Sequence, residues 1–166
     1  MKLLSKHLTS NIKHRTYYIV LLLCVFSACN TLDVFEKSTA FTKHEWKTAD
    51  KIAFDFSITD TSSLYNIYAV VRHDDAYHYN NLWLNIAIRS PNNTLENQQV
   101  ELTLANSTKG WLGTGIDDVF DHRVRITNAP IKLKKGNYHF TLQHTMREDP
   151  LTYVLSAGIR VEKVQP

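Results

Sequence analysis

Cysteine is scarce: the 166-residue chain has two, Cys24 and Cys29, and none follows. No disulfide can therefore form within the segment beyond them. Thiolate metal sites and cysteine nucleophiles are excluded there as well. Acid is absent from the first 28 residues, where Lys2, Lys6, Lys13 and Arg15 stand unopposed. With those four set aside, 15 of the 19 basic residues face 16 acids, so the +3 charge of the whole chain becomes −1. No basic stripe remains to favour nucleic acid. A sustained 3.6-residue apolar period is also missing, which argues against a helical domain. Repeats, low-complexity tracts and a second domain are not visible.

What is present begins with a leader. Basic residues up to Arg15 precede the apolar run Tyr17, Tyr18, Ile19, Val20, Leu21, Leu22, Leu23, Cys24, Val25, Phe26. That run is roughly half the ~20 residues a bilayer span requires. Small residues, Ser27 and Ala28, then lead to Cys29. This is the three-part pattern of a cleaved export signal over residues 1–28. A cysteine at its end reads as a lipobox, although Phe26 stands where leucine is usual. The Cys29 thiol takes diacylglycerol and the freed amine a further chain such as palmitate. Two or three chains anchor stably where one would be marginal. An ordinary cleaved signal with a chance cysteine is the plainer alternative. Residues 30–33 carry no acidic cluster of the kind that marks surface-exposed lipoproteins, which favours a periplasm-facing domain.

Removing 28 of 166 residues leaves 138, enough for one domain with a substantial core. Residues 29–50 read as a lipidated tether, with Trp46 the first residue to dock. Period-2 alternation then dominates residues 51–166. Ile52, Phe54, Phe56 and Ile58 form one face of a strand, and Tyr65, Ile67, Ala69 and Val71 another. Leu82 to Ile88, Val100 to Leu104, Val124 to Ile126, Tyr138 to His144 and Leu155 to Val164 continue the pattern, with Ile131 to Lys135 a further short segment. Ser90-Pro91-Asn92-Asn93 and Gly136-Asn137 supply turns. Seven or eight short strands predict an all-β antiparallel sandwich of jelly-roll-like form.

Three clusters are candidates for chemistry. His73, Asp74, Asp75 and His78 are competent metal ligands, yet no distant third ligand can be nominated, and a solvated loop is the expected reading. Gly110-Trp111-Leu112-Gly113-Thr114-Gly115 lacks the ending of a phosphate loop. It reads as glycines at positive φ, with Trp111 packed across the sandwich end. Met146-Arg147-Glu148-Asp149-Pro150 reads as a solvated turn, or as a structural ion pair through the Arg147 fork. No serine sits in a nucleophile elbow, no acid–base pair can be placed, and no cofactor is expected. The tyrosines and Trp83 would suit a sugar-binding face only if exposed in a row.

Several segments in order resemble the gliding-motility lipoproteins called GldH. They are Phe56-Ser57-Ile58-Thr59-Asp60-Thr61 with Tyr65-Asn66-Ile67-Tyr68, and Val71-Arg72-His73 with Tyr79-Asn80-Asn81-Leu82-Trp83-Leu84. Gly110-Trp111-Leu112-Gly113-Thr114-Gly115, Gly136-Asn137-Tyr138-His139-Phe140 and Met146-Arg147-Glu148-Asp149-Pro150-Leu151 with Gly158-Ile159-Arg160 complete the set. The likeness runs over most of residues 29–163. It implies a non-enzymatic envelope component of the gliding apparatus, which is linked to type IX secretion. Such a component would act by protein–protein contact and take neither nucleic acid nor a small-molecule substrate. Cys29 is the one functional residue that transfers. Arg72, His73, Tyr79, Trp83, Trp111, Arg147, Glu148 and Asp149 are the expected interaction residues. The alternative is an envelope lipoprotein that binds carbohydrate or peptidoglycan through a sandwich face.

Overall fold

The computed structural model describes residues 33–164. The expected signal over 1–28, and Cys29 with its neighbours to residue 32, lie outside the described residues. Among those described are strands β1 (Asp33–Ala40), β2 (Glu45–Trp46), β3 (Ile52–Ile58), β4 (Leu64–Asp74), β5 (Asn81–Arg89) and β6 (Leu95–Thr103). There follow β7 (Ala105–Asn106), β8 (Gly110–Trp111), β9 (Thr114–Ile116), β10 (Val119–Arg125) and β11 (Ile131–Lys132). The last are β12 (Gly136–His144), β13 (Leu151–Thr152) and β14 (Val154–Lys163).

Alternation sets the faces. In β3 every second residue from Ile52 to Ile58 is buried and the three between are exposed. Tyr138, Phe140, Leu142 and His144 are likewise buried in β12, with half-buried residues between them. Two sheets close over these side chains. One runs β1-β14-β4-β10-β9, with β11 beside β4; the other runs β3-β12-β5-β6. All their pairings are antiparallel. From β1 the long strands cross to the opposite sheet at every step except the β5–β6 hairpin. That order is a jelly roll. The hairpin turns at Ser90–Thr94, where Asn93 takes the left-handed conformation that asparagine tolerates.

The sandwich has two distinct ends. Asp33 pairs with Glu162, and Lys163 with Tyr65, so β1 begins where β4 begins. The Ser90–Thr94 turn and β11 share this entry end, since Lys132 pairs with Leu64 and a Cβ on Gly136 would meet Pro91. At the other end Ala40 pairs with Ser156, and Ser156 with Arg72. The 75–80, 107–118 and 145–150 loops gather there, at the far end.

The structure corrects the tether. Residues 33–50 are part of the fold: β1 is an edge strand, and Trp46 is completely buried against Phe41, ring centroids 4.8 Å apart. Trp46 is thus not where docking starts. Phe35 already stacks on Phe56, which stacks on Tyr138, at 5.3 and 5.4 Å. This stack joins the two sheets. Apolar alternation is missing in β1 because hydrogen bonding to β14, rather than burial, holds most of it. The pairing depends on Gly158: a Cβ there would lie 2.2 Å from the Lys37 carbonyl oxygen and 2.3 Å from Ser38 Oγ.

Gly158→Ala is therefore expected to push β1 off β14 and destabilise the domain by about 1–3 kcal/mol, the usual cost of overpacking. Urea unfolding measures this; an unchanged midpoint would contradict the close approach.

Candidate functional site

The far end carries most of the side chains expected to interact. β4 runs on past Val71 to Asp74, because the alternation Tyr65, Ile67, Ala69, Val71 continues inward to His73. His73 is fully buried, not part of a solvated loop. Its Nδ1 lies 2.7 Å from the Asp74 carbonyl oxygen and its Nε2 2.9 Å from Nε2 of buried His122. A carbonyl only accepts, so Nδ1 carries the proton of neutral His73. Its Nε2 then accepts from His122 Nε2–H. Burial lowers the His73 pKa, and burial together with the neighbouring His73 ring pushes His122 down to about 4. Both rings are neutral at pH 7.

Trp111 packs edge-on over His73 at 4.3 Å, and its Nε1–H donates to Asp75 Oδ1 at 2.7 Å. Phe120 and Tyr77 complete the shell, Tyr77 donating its hydroxyl to the Asn81 carbonyl. Of the three loop glycines, Gly110 alone has positive φ, at 68°. The other two are required for space. A Cβ on Gly113 would sit 2.5 Å from the Asp121 carbonyl oxygen, and one on Gly115 would sit 2.7 Å from the Phe120 ring.

Glu148 ties two loops together. Its carboxylate accepts from the Thr152 backbone and hydroxyl and lies 3.2 Å from His78 Nδ1. Partial burial pushes its pKa up. The hydrogen bonds from Thr152, His78 and Tyr79 outweigh that and hold it near 2. Asp149 accepts the Thr48 N–H at 2.9 Å. The acids of this turn are thus structural, while Arg147 is exposed and forms no ion pair among the described residues. The fork expected of Arg147 is made by Arg72, which grips Asp121 through two 2.8 Å bonds on the outer face of its sheet.

Tyr79, Glu148, Trp111 and His73 are brought together by these loops; Arg72 and Trp83 lie on the outer faces of opposite sheets. Trp83 meets the site through its backbone, which donates to Met146 S and accepts from Thr145 N–H. His73 points inward while His78 is exposed, so the four candidate metal ligands diverge. Among the described residues, no group of three or more His, Cys, Asp or Glu could hold a metal ion. Tyr65 and Tyr77 are buried, and Tyr68, Tyr79 and Trp83 sit on different surfaces, so they form no aromatic row.

Sequence reasoning missed Tyr153 and His122. Tyr153 is exposed, has φ 65°, and packs edge-on against His78 at 5.1 Å. A bulky residue in that conformation is held by its surroundings; no local signal announces it. His122 had one, since it alternates in phase with Phe120 and Val124.

The model of the GldH lipoprotein family matches residues 33–161. The chain is similar to a gliding motility lipoprotein GldH homolog of Christiangramia forsetii, 23% identical over 89% of this chain and 94% of that protein. It is also similar to the gliding motility lipoprotein GldH of Flavobacterium johnsoniae, 24% identical over 92% and 98%. Among solved structures, a CBM28 carbohydrate-binding module specific for non-crystalline cellulose matches with TM-score 0.45 and 12% identity. That match covers 77% of this chain and 73% of the module.

The buried histidines generate a pH dependence. His73, His122 and His144 all have pKa values lowered by burial. Between the ordinary imidazole value near 6.5 and about 4, the unfolded chain binds more protons than the folded one. Stability is thus fully present above pH ~6.5 and is expected to fall by on the order of 2–3 kcal/mol on acidification to pH 4. Urea titrations across that range check this, and His122→Asn should flatten the slope. A stability that rises on acidification would refute the neutral pair.

Proposed function

The chain belongs to the GldH lipoprotein family, and on that premise we propose that it is a lipid-anchored, periplasm-facing component of the gliding motility machinery. It is attached through Cys29 and acts non-enzymatically, by protein–protein contact at the far end. The apparatus it serves is linked to type IX secretion. The observation that carries the reading is the family match, which runs through the whole jelly roll from Asp33 to Val161. Lipidation confines the domain to a thin layer by the membrane and raises its effective concentration for membrane-bound partners.

The far end supports the contact role. Glu148 pairs with His78, His73 with His122, and Asp75 and Asp149 accept from Trp111 and the Thr48 backbone, which makes the loops a rigid platform. Among the side chains the platform exposes are Tyr153, Leu112, Ile116 and the cation of Arg147. Exposed aromatic and arginine side chains on a rigid base are the composition of binding hot spots. A sugar-binding role would call for a row of exposed rings on one face, which the tyrosines and Trp83 do not make.

Cys29→Ala is expected to leave the domain folded and release it from membranes, read by fractionation; a variant still in the membrane pellet would count against the anchor. In a deletion strain, the wild-type chain should restore spreading and secretion. Tyr153→Ala combined with Arg147→Glu should fail to do so at normal abundance, since both side chains are exposed and cost the fold little. Full restoration by that double variant would move the contact surface elsewhere.

A further inference from the structure

We propose that the entry end of the sandwich is itself a membrane-binding surface, which rests on anionic lipid headgroups and holds the domain upright on its anchor. This rests on the Cys29 anchor proposed above. Three residues separate Cys29 from Asp33, a path of at most about 14 Å even when extended. Asp33 pairs with Glu162 at the entry end. A lipid on Cys29 therefore keeps that end within about 14 Å of the bilayer. β4 has 11 residues, so the far-end loops lie roughly 35 Å further out.

The side chains at the entry end suit that position. Among the described residues, six large apolar side chains are exposed, and they divide between the two ends. Leu112, Ile116 and Tyr153 are at the far end. Leu64, Leu95 and Ile131, exposed by 40%, 53% and 36%, are at the entry end. Lys132, Lys134 and Lys135 are exposed in the same loop as Ile131, and Lys132 pairs with Leu64 across β11 and β4. Asp60, the acid of the neighbouring turn, is neutralised by Lys163 at 2.9 Å; Glu96 and Asp55 are exposed acids nearby, Asp55 lying 2.7 Å from His139 Nδ1. Apolar side chains interleaved with lysines match the boundary between acyl chains and anionic headgroups. Each lysine near such a surface is worth about a fivefold gain in binding.

The test uses the lipidated mature protein in vesicles of phosphatidylcholine with or without phosphatidylglycerol. An environment-sensitive fluorophore is placed on Ile131→Cys or, separately, on Leu112→Cys. Both positions are exposed, and with Cys29 acylated the new thiol is the sole reactive one. Flotation is measured first, then quenching by a lipid-borne quencher. The expected result is flotation of both proteins, with the label at 131 blue-shifted and quenched and the label at 112 in water. Reversing Lys132, Lys134 and Lys135 to Glu, or omitting phosphatidylglycerol, should reduce quenching at 131 several-fold. Flotation with the two labels equally quenched, or with 112 the more quenched, overturns the orientation while the anchor stands. Quenching at 131 that ignores both lysines and lipid charge overturns the headgroup contact. A protein that does not float removes the anchor, and this surface with it.

Discussion

The register between β1 and β14 decides where the chain enters the sandwich, and most of what is distinctive here depends on it. β1 is an edge strand with few buried side chains, so hydrophobic burial contributes little to its placement. Its backbone hydrogen bonds and the close approach at Gly158 do the placing, helped by the Phe35–Phe56–Tyr138 stack. A slip by one residue would turn Phe35 outward. Because β1 enters beside the start of β4, a lipid anchor at Cys29 would be bound by chain length to one end of the domain, with the loop cluster left at the other.

The two ends differ in how their polar groups are used. At the far end, charge is largely spent on structure. Glu148 holds Thr152, His78 and Tyr79 in place, Asp75 holds Trp111, and the His73–His122 pair is kept neutral inside a shell of rings. A polar network satisfied in this way rigidifies the loops above it, and rigid loops lose less entropy on binding a partner. At the entry end the lysines of the Ile131–Lys135 loop form no ion pair among the described residues and face solvent beside exposed apolar side chains. The first surface suits a shaped protein partner, the second a fluid charged layer.

Much of the fold was legible from residue pattern alone. Strands with one wet face announce themselves by alternation, and β3, β4, β5, β12 and β14 lie where the alternation puts them. β1 was not legible, because an edge strand held by its neighbour's backbone has no need of apolar periodicity; its polar sequence reads as a tether. His73 was misjudged for a related reason. A histidine beside two aspartates looks like loop, and only the continued inward phase of β4 shows that its ring is in the core. Gly113 and Gly115 look in the sequence like residues needed for backbone conformation, but their role is to leave room for the Asp121 carbonyl and the Phe120 ring.

The sequence by itself pointed to an export signal and a candidate anchor at Cys29, and it determined the all-β class and the likeness to one lipoprotein family. These are local properties: charge, apolar run length, period and the order of short motifs are all read along the chain. The tertiary structure alone decided that His73 meets His122 across 49 positions, that Glu148 rather than Arg147 organises the far loops, and that Tyr153 is exposed at positive φ. It also decided that Leu64, Leu95 and Ile131 share one end. In a jelly roll, successive strands cross between sheets, so residues far apart in sequence become neighbours, and which ones meet is set by register and not by spacing along the chain.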